Sequence, residues 1–188
     1  MQEDTKTEVL DAIKAFGEQA HKGQIRKYTG EPYYNHPVRV METCRRVTTD
    51  ISILSAALLH DVLEDTHIGE DELKQFLLSV MTPNDAERTL NLVIQLTDVY
   101  IKSDYPRMNR RKRKELEHKR LAGISTAAQT IKYADVIDNS PNTAQADPDF
   151  APKLLKEYRQ MLGMLDKGNP QLHKEATEAV QTELEHFQ

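Results

Sequence analysis

The 188 residues include only one cysteine, Cys44, which excludes an intramolecular disulfide framework and fits a reducing compartment. No apolar run approaches the roughly 18 residues of a membrane span. The amino terminus, Met1-Gln2-Glu3-Asp4-Thr5-Lys6, lacks the basic-then-apolar pattern of a secretory signal. A cytoplasmic protein with no membrane partner is therefore expected. Positive charge is not in excess either: 25 Lys and Arg against 30 Asp and Glu leave a net charge of −5. A nucleic-acid partner is not expected, since such a domain favours a basic balance. Strand signals are nearly absent, and no repeats or low-complexity tracts occur. The expectation is an all-α fold, a compact bundle of about eight or nine helices.

What is present is helical periodicity with clear punctuation. Residues 4–21 carry Val9, Ile13, Phe16 and Ala20 at helical spacing, and Gly23 ends the run. Residues 24–35 mix glycine, proline and tyrosine and read as an ordered loop. Pro37 suits the first turn of the next helix, which places His36 at a helix mouth, and Thr48-Thr49-Asp50 stops that helix and caps the following one. Further helices are expected from Gly69 and from Thr82-Pro83. Residues 97–106 form a polar connection, and a basic stretch, 107–114, leads into a helix that breaks at Gly123. The next helix, 125–139, is expected to stop at Ser140-Pro141, and another to begin at Asp147-Pro148. Residues 1–168 are expected to form one domain, with 169–188 a terminal helix, docked or loosely attached.

One stretch stands apart. In Leu58-Leu59-His60-Asp61-Val62-Leu63-Glu64-Asp65-Thr66 an apolar run takes on four ionisable side chains within six positions. On a continuous helix, His60 and Glu64 lie one turn apart, as do Asp61 and Asp65. The opposite face stays apolar, so this helix packs into a core and its charged face looks elsewhere. Gathered carboxylates are costly to bury unless a cation offsets them, and imidazole with carboxylate is a donor set for divalent transition metals. The plain alternative is an exposed acidic helix end with a chance histidine. Two other places carry matching chemistry: His36 at its helix mouth, and Asp135 in a polar stripe with Lys132, Asp138 and Asn139. Two imidazoles and two carboxylates suit Mn²⁺, Fe²⁺, Co²⁺ or Zn²⁺ better than Ca²⁺ or Mg²⁺.

The order Tyr-Tyr-Asn-His-Pro, then Leu-Leu-His-Asp-Val-Leu-Glu-Asp-Thr, then Ile-Lys-Tyr-Ala-Asp-Val-Ile-Asp-Asn resembles the HD-domain metal-dependent phosphohydrolases. Within them it is most similar to the pyrophosphohydrolase domain of RelA/SpoT-type stringent-response enzymes and to the small alarmone hydrolases. The resemblance covers roughly residues 16–142. It implies His36, His60, Asp61 and Asp135 as metal ligands, Mn²⁺ as the usual ion, and Glu64 and Asp65 as the pair that orients or deprotonates the attacking water. It implies Arg26 and Lys27 as nucleotide contacts, the arginine against the purine face, with Asn139 at the nucleoside and Lys132 at phosphate or paired with Asp135. The implied reaction releases pyrophosphate from the 3′ position of a purine nucleotide such as (p)ppGpp.

Asp138-Asn139-Ser140-Pro141-Asn142 stands where the bifunctional enzymes carry a His-Asn-Met-Arg-Thr-like string, and Thr97-Asp98-Val99 where they carry Thr-Lys-Leu. An adenosine alarmone, (p)ppApp, or the 2′-phosphate of NADPH are the alternative substrates, and a nucleotide sensor without turnover is the non-enzymatic alternative. In the basic stretch, Arg110 and Arg111 are the candidates for phosphate contact, against a solvated helix face. His21, His67, His118, His173 and His186 lack partners at ligand spacing and are expected at the surface. No room for a second catalytic domain follows the hydrolase region, so alarmone synthesis is not expected.

Overall fold

The computed structural model of the protein describes residues 3–26, 29–146 and 148–187, the side chains of residues 3, 142 and 144–146 excepted. Lys27 and Asp147 lie outside the described residues. Among the described residues the chain forms nine longer helices and one single-turn helix, with one isolated antiparallel bridge between Ile25 and Pro32. It divides into two compact units, Met1–Thr97 and Asp98–Gln188. No helix among the described residues is long and apolar enough to cross a membrane.

The first unit is built around α3 (Ile51–Leu59), which packs against α1 (Glu3–Ala20), α2 (Asn35–Arg45) and α6 (Pro83–Leu96). Eight of its nine residues are buried, and they are small or aliphatic apart from two serines, so neighbours can close in from every side. Asp50 caps it by accepting from Ser52 N at 2.9 Å and is itself held by Arg88 at 2.6 Å. α4 (Val62–Asp65) is a single turn. α5 (Glu70–Val80) opens with three acids in the turn where the helix dipole favours them. α6 starts as its sequence dictates, with Thr82 accepting from Asp85 N and Pro83 in the first turn. Cys44 is buried in α2, and that burial pushes its thiol up to about 12.

α7 (Arg110–Ala122), α8 (Thr126–Ala146), α9 (Ala151–Leu162) and α10 (Pro170–Glu185) make the second unit. α8 packs against α9 and α10, and α7 against α9. Buried Glu117 on α7 accepts from Val99 N at 3.1 Å and Tyr100 N at 3.0 Å, which ties down the start of the polar connection. α10 buries Leu172, Ala176, Val180 and Leu184, four positions at a strict one-turn spacing.

Two boundaries differ from the expectation. α8 does not stop at Ser140-Pro141 but runs on to Ala146 with Pro141 inside it. Proline lacks the N–H that would have bonded the Ile137 carbonyl. On either side, Ser140 Oγ donates to Val136 O at 2.7 Å and Thr143 Oγ1 to Asn139 O at 2.9 Å, adding side-chain bonds where the backbone ladder is weakest. α9 begins at Ala151 rather than at Asp147-Pro148, after a turn over 148–150, with Pro152 in its first turn where no N–H is needed.

Candidate active site

Where the sequence suggested one helix through residues 51–65, the chain breaks. α3 ends at Leu59, and Asp61, at φ −98° and ψ −4°, leads into α4. The cause is local. His60 Nδ1 lies 2.9 Å from Ala57 O, so the ring turns back to satisfy a carbonyl at the helix end, and Asp61 O receives the amides of Glu64 at 3.2 Å and Asp65 at 2.8 Å. The two charged columns of an ideal helix are thereby replaced by a corner.

At that corner three donors converge. His60 Nε2 is 3.1 Å and His36 Nε2 3.7 Å from the same Asp61 oxygen, Oδ2. The two imidazoles are buried, with ring centroids 5.2 Å apart and ligand atoms within 4.8 Å of each other. This donor set fits a divalent transition ion. With Nδ1 turned to the Ala57 carbonyl, His60 presents Nε2 to the Asp61 carboxylate, the ring atom a metal ion would take.

Tyr33 closes the corner from the loop side. Its hydroxyl lies 2.8 Å from Asp61 Oδ2 and 2.7 Å from Asp65 Oδ2. Burial, with Asp61 and Asp65 alongside, drives the phenol pKa far above its ordinary value, so it serves as a donor. Partial burial raises the Asp65 carboxyl above the usual carboxylate range, the Tyr33 bond opposes that, and the Asp61 charge adds to it. Asp65 and Glu64 themselves face solvent.

His21 and Gln24 also belong to this corner. Expected at the surface, His21 is buried, stacked on Tyr33 at 4.9 Å, with Nδ1 2.8 Å from Gln24 Oε1. The buried stripe of α1 runs Val9, Ile13, Gly17 and on to His21 in steps of four, not through Phe16 and Ala20. That one-turn spacing was the available signal. Gly17 is obligatory on it, because a Cβ there would collide with the Tyr34 phenol.

Arg26 is half-buried, and its loop is held by Arg26 N to Glu31 O at 2.9 Å and Gly30 N to Arg26 O at 3.1 Å. Gly30, at φ +70°, takes the left-handed conformation this tight return needs. Arg39 grips Glu31 through both terminal nitrogens, at 2.8 and 3.1 Å, and Asn35 adds a third bond at 3.0 Å.

Within the second unit, Asp135 is buried on α8 between two residues of its own helix. Lys132 Nζ donates to Oδ2 at 2.9 Å and Asn139 Nδ2 to Oδ1 at 2.6 Å. Burial works to lower the Lys132 pKa, but the charges of Asp135 and Asp98 overrule it and keep the ammonium protonated. Lys132 and Asn139 thus orient Asp135, one turn before and one turn after it.

The basic stretch is largely paired. Arg110 gives a bidentate bond to Glu157, at 2.9 and 2.7 Å, with its guanidinium 5.0 Å from the Phe150 ring centre. Lys114 pairs with Asp98 at 3.1 Å, while Arg111 is exposed on α7. His118 is buried rather than at the surface, and burial together with Lys114 lowers its pKa. Of the other histidines, His67 and His186 are exposed, and half-buried His173 lies 3.0 Å from Leu162 O through Nε2.

An imidazole–carboxylate corner beside two further acids on a helical scaffold makes a candidate metal centre. The chain belongs to the HD domain family, whose model matches residues 14–158. It is 31% identical over 164 residues to the guanosine-3′,5′-bis(diphosphate) 3′-pyrophosphohydrolase MESH1 of Xenopus tropicalis, a match covering 85% of this chain and 83% of that protein. It is 30% identical to the guanosine-3′,5′-bis(diphosphate) 3′-pyrophosphohydrolase of Haemophilus influenzae, over 88% of this chain and 22% of that one. The chain spans about a fifth of the length of such bacterial relatives. A solved structure of a metazoan ortholog of SpoT that hydrolyses ppGpp has the same fold. Its TM-score is 0.77, with 24% identity over 93% of this chain and 94% of that one.

Proposed function

We propose that this chain is a divalent-metal-dependent hydrolase that removes pyrophosphate from the 3′ position of a purine nucleotide, with guanosine 3′,5′-bis(diphosphate) as its substrate. The observation that carries the proposal is the approach of His36 Nε2 and His60 Nε2 to one oxygen of Asp61, one helical turn from Asp65. The MESH1 relative, most of whose length this chain covers, supplies the substrate class.

His36, His60, Asp61 and Asp135 would hold the ion, Mn²⁺ by the family resemblance. When bound, such an ion acidifies a water and draws charge from a phosphoryl oxygen. Glu64 and Asp65 take the proton of the attacking water, whose oxygen ends on phosphorus, while the ribose 3′ oxygen leaves and is protonated. Lys132 and Asn139 keep Asp135 turned to its task. Arg26, with Lys27 beside it in sequence, receives the purine by stacking its guanidinium on the base. Exposed Arg111 meets phosphate, whereas Arg110 is engaged by Glu157. A cytoplasmic location and a part in the stringent response go with this assignment.

The test is an assay of purified protein with Mn²⁺ against guanosine and adenosine 3′-pyrophosphates and NADPH, with products separated. Wild type is expected to release pyrophosphate from the guanosine substrate, and Asp61→Ala to release none. Glu64→Gln should still bind Mn²⁺ but lose about 100-fold or more in kcat, the usual scale for a general base. Orthophosphate from NADPH as the sole product, nucleotide binding without turnover, or full activity in Asp61→Ala would overturn the proposal.

A further inference from the structure

A one-turn helix does not support itself, because nucleation costs more than a single turn of hydrogen bonds returns. α4 is such a helix, yet it carries Glu64 and Asp65. Its support comes from the end of α1 and the loop after it. Gln24 Nε2 donates to the Asp65 carbonyl at 2.7 Å, and the other end of the same amide, Oε1, is 2.8 Å from His21 Nδ1. The His21 ring lies nearly parallel to that of Tyr33, at an interplanar angle of 18°, and Tyr33 N donates to Gln24 O at 3.0 Å. The Tyr33 hydroxyl then reaches both Asp61 and Asp65. The path closes on itself: Asp65 backbone, Gln24, His21, Tyr33, Asp65 side chain.

Building on the function proposed above, we propose that Tyr33, backed by His21 and Gln24, is a positioning residue that fixes Asp65 at a set separation from Asp61. One hydroxyl touching an oxygen of each carboxylate ties the acid/base side chain to the metal-ligand side chain. His21 is buried and cannot swing away, so the ring beneath the hydroxyl stays in place. The carbonyl bond from Gln24 fixes the backbone of Asp65 while the phenol fixes its carboxylate. Nothing in this arrangement requires Tyr33 to touch substrate.

Tyr33→Phe removes the hydroxyl and keeps the ring on His21, so the variant folds with the wild-type melting profile. Its kcat on the substrate that wild type turns over is expected to fall by about 10- to 100-fold, the scale seen when a partner of a ligating side chain is lost. KM should change little. In an Asp65→Asn background the same change should cost nothing more, since Tyr33 acts through Asp65. Amide exchange at Glu64 and Asp65 should quicken in Tyr33→Phe while α3 keeps its protection. A kcat equal to wild type, or the full loss repeated in the Asp65→Asn background, overturns the positioning role. If wild type hydrolyses no nucleotide offered, the proposed function fails and the clamp is judged by exchange alone. Faster exchange at Glu64 and Asp65 then upholds it, and unchanged exchange overturns it.

Discussion

Glu31 carries a pH signature that belongs to one residue. The Arg39 hydrogen bonds, set against a smaller burial effect and helped by Asn35, hold its pKa at about 2 instead of the ordinary 4.5. A carboxyl with a depressed folded pKa contributes stability that is fully present above the unfolded value and is lost as pH falls through the folded one. The stability difference between wild type and Arg39→Met should therefore be constant above pH about 4.5 and shrink between there and pH about 2. Urea unfolding across that range reads it, and a difference that stays flat to the acid end would show that Glu31 is not held by Arg39. Residues of this kind were partly legible beforehand. His36, His60, Asp61 and Asp135 stood out because their types are rare on apolar helix faces. Tyr33 and His21 did not, because a tyrosine at a loop edge and a histidine at a helix end look the same whether they pack or position.

Among the elements, local chemistry announced itself at Asp50 before α3 and at Thr82-Pro83 before α6. It failed where a side chain intervened in the backbone ladder. Periodicity cannot register His60 turning back to Ala57, so the break between α3 and α4 was hidden. Nor could it register the hydroxyl bonds that flank Pro141 in α8. α10, read as docked or loosely attached, turns a continuous apolar stripe towards its neighbours. Leu172 is wholly buried, and α10 rests on α8 and α9. Leu172→Ala should cost about 2–5 kcal/mol in unfolding free energy, the range for a leucine cut from a close-packed site. A loss within about 0.5 kcal/mol, as at an exposed position, would mean that α10 is only lightly attached in solution.

At the scale of the whole molecule, the helical class followed from the lack of strand patterning, and family membership from three short motifs in a fixed order. The folding of the chain into two compact units was not legible, because both units are built of helices and no glycine- or proline-rich linker marks the boundary at Thr97 and Asp98. The proposed ligand set draws on three stretches of chain far apart in sequence, so it stands or falls on the intact protein. The most direct test is pyrophosphate release from guanosine 3′,5′-bis(diphosphate) by chelator-treated protein, before and after Mn²⁺ is returned. The account predicts no release before, release after, and none at any stage from Asp135→Ala. Pyrophosphate from the stripped protein, or Asp135→Ala working as fast as wild type, would contradict it.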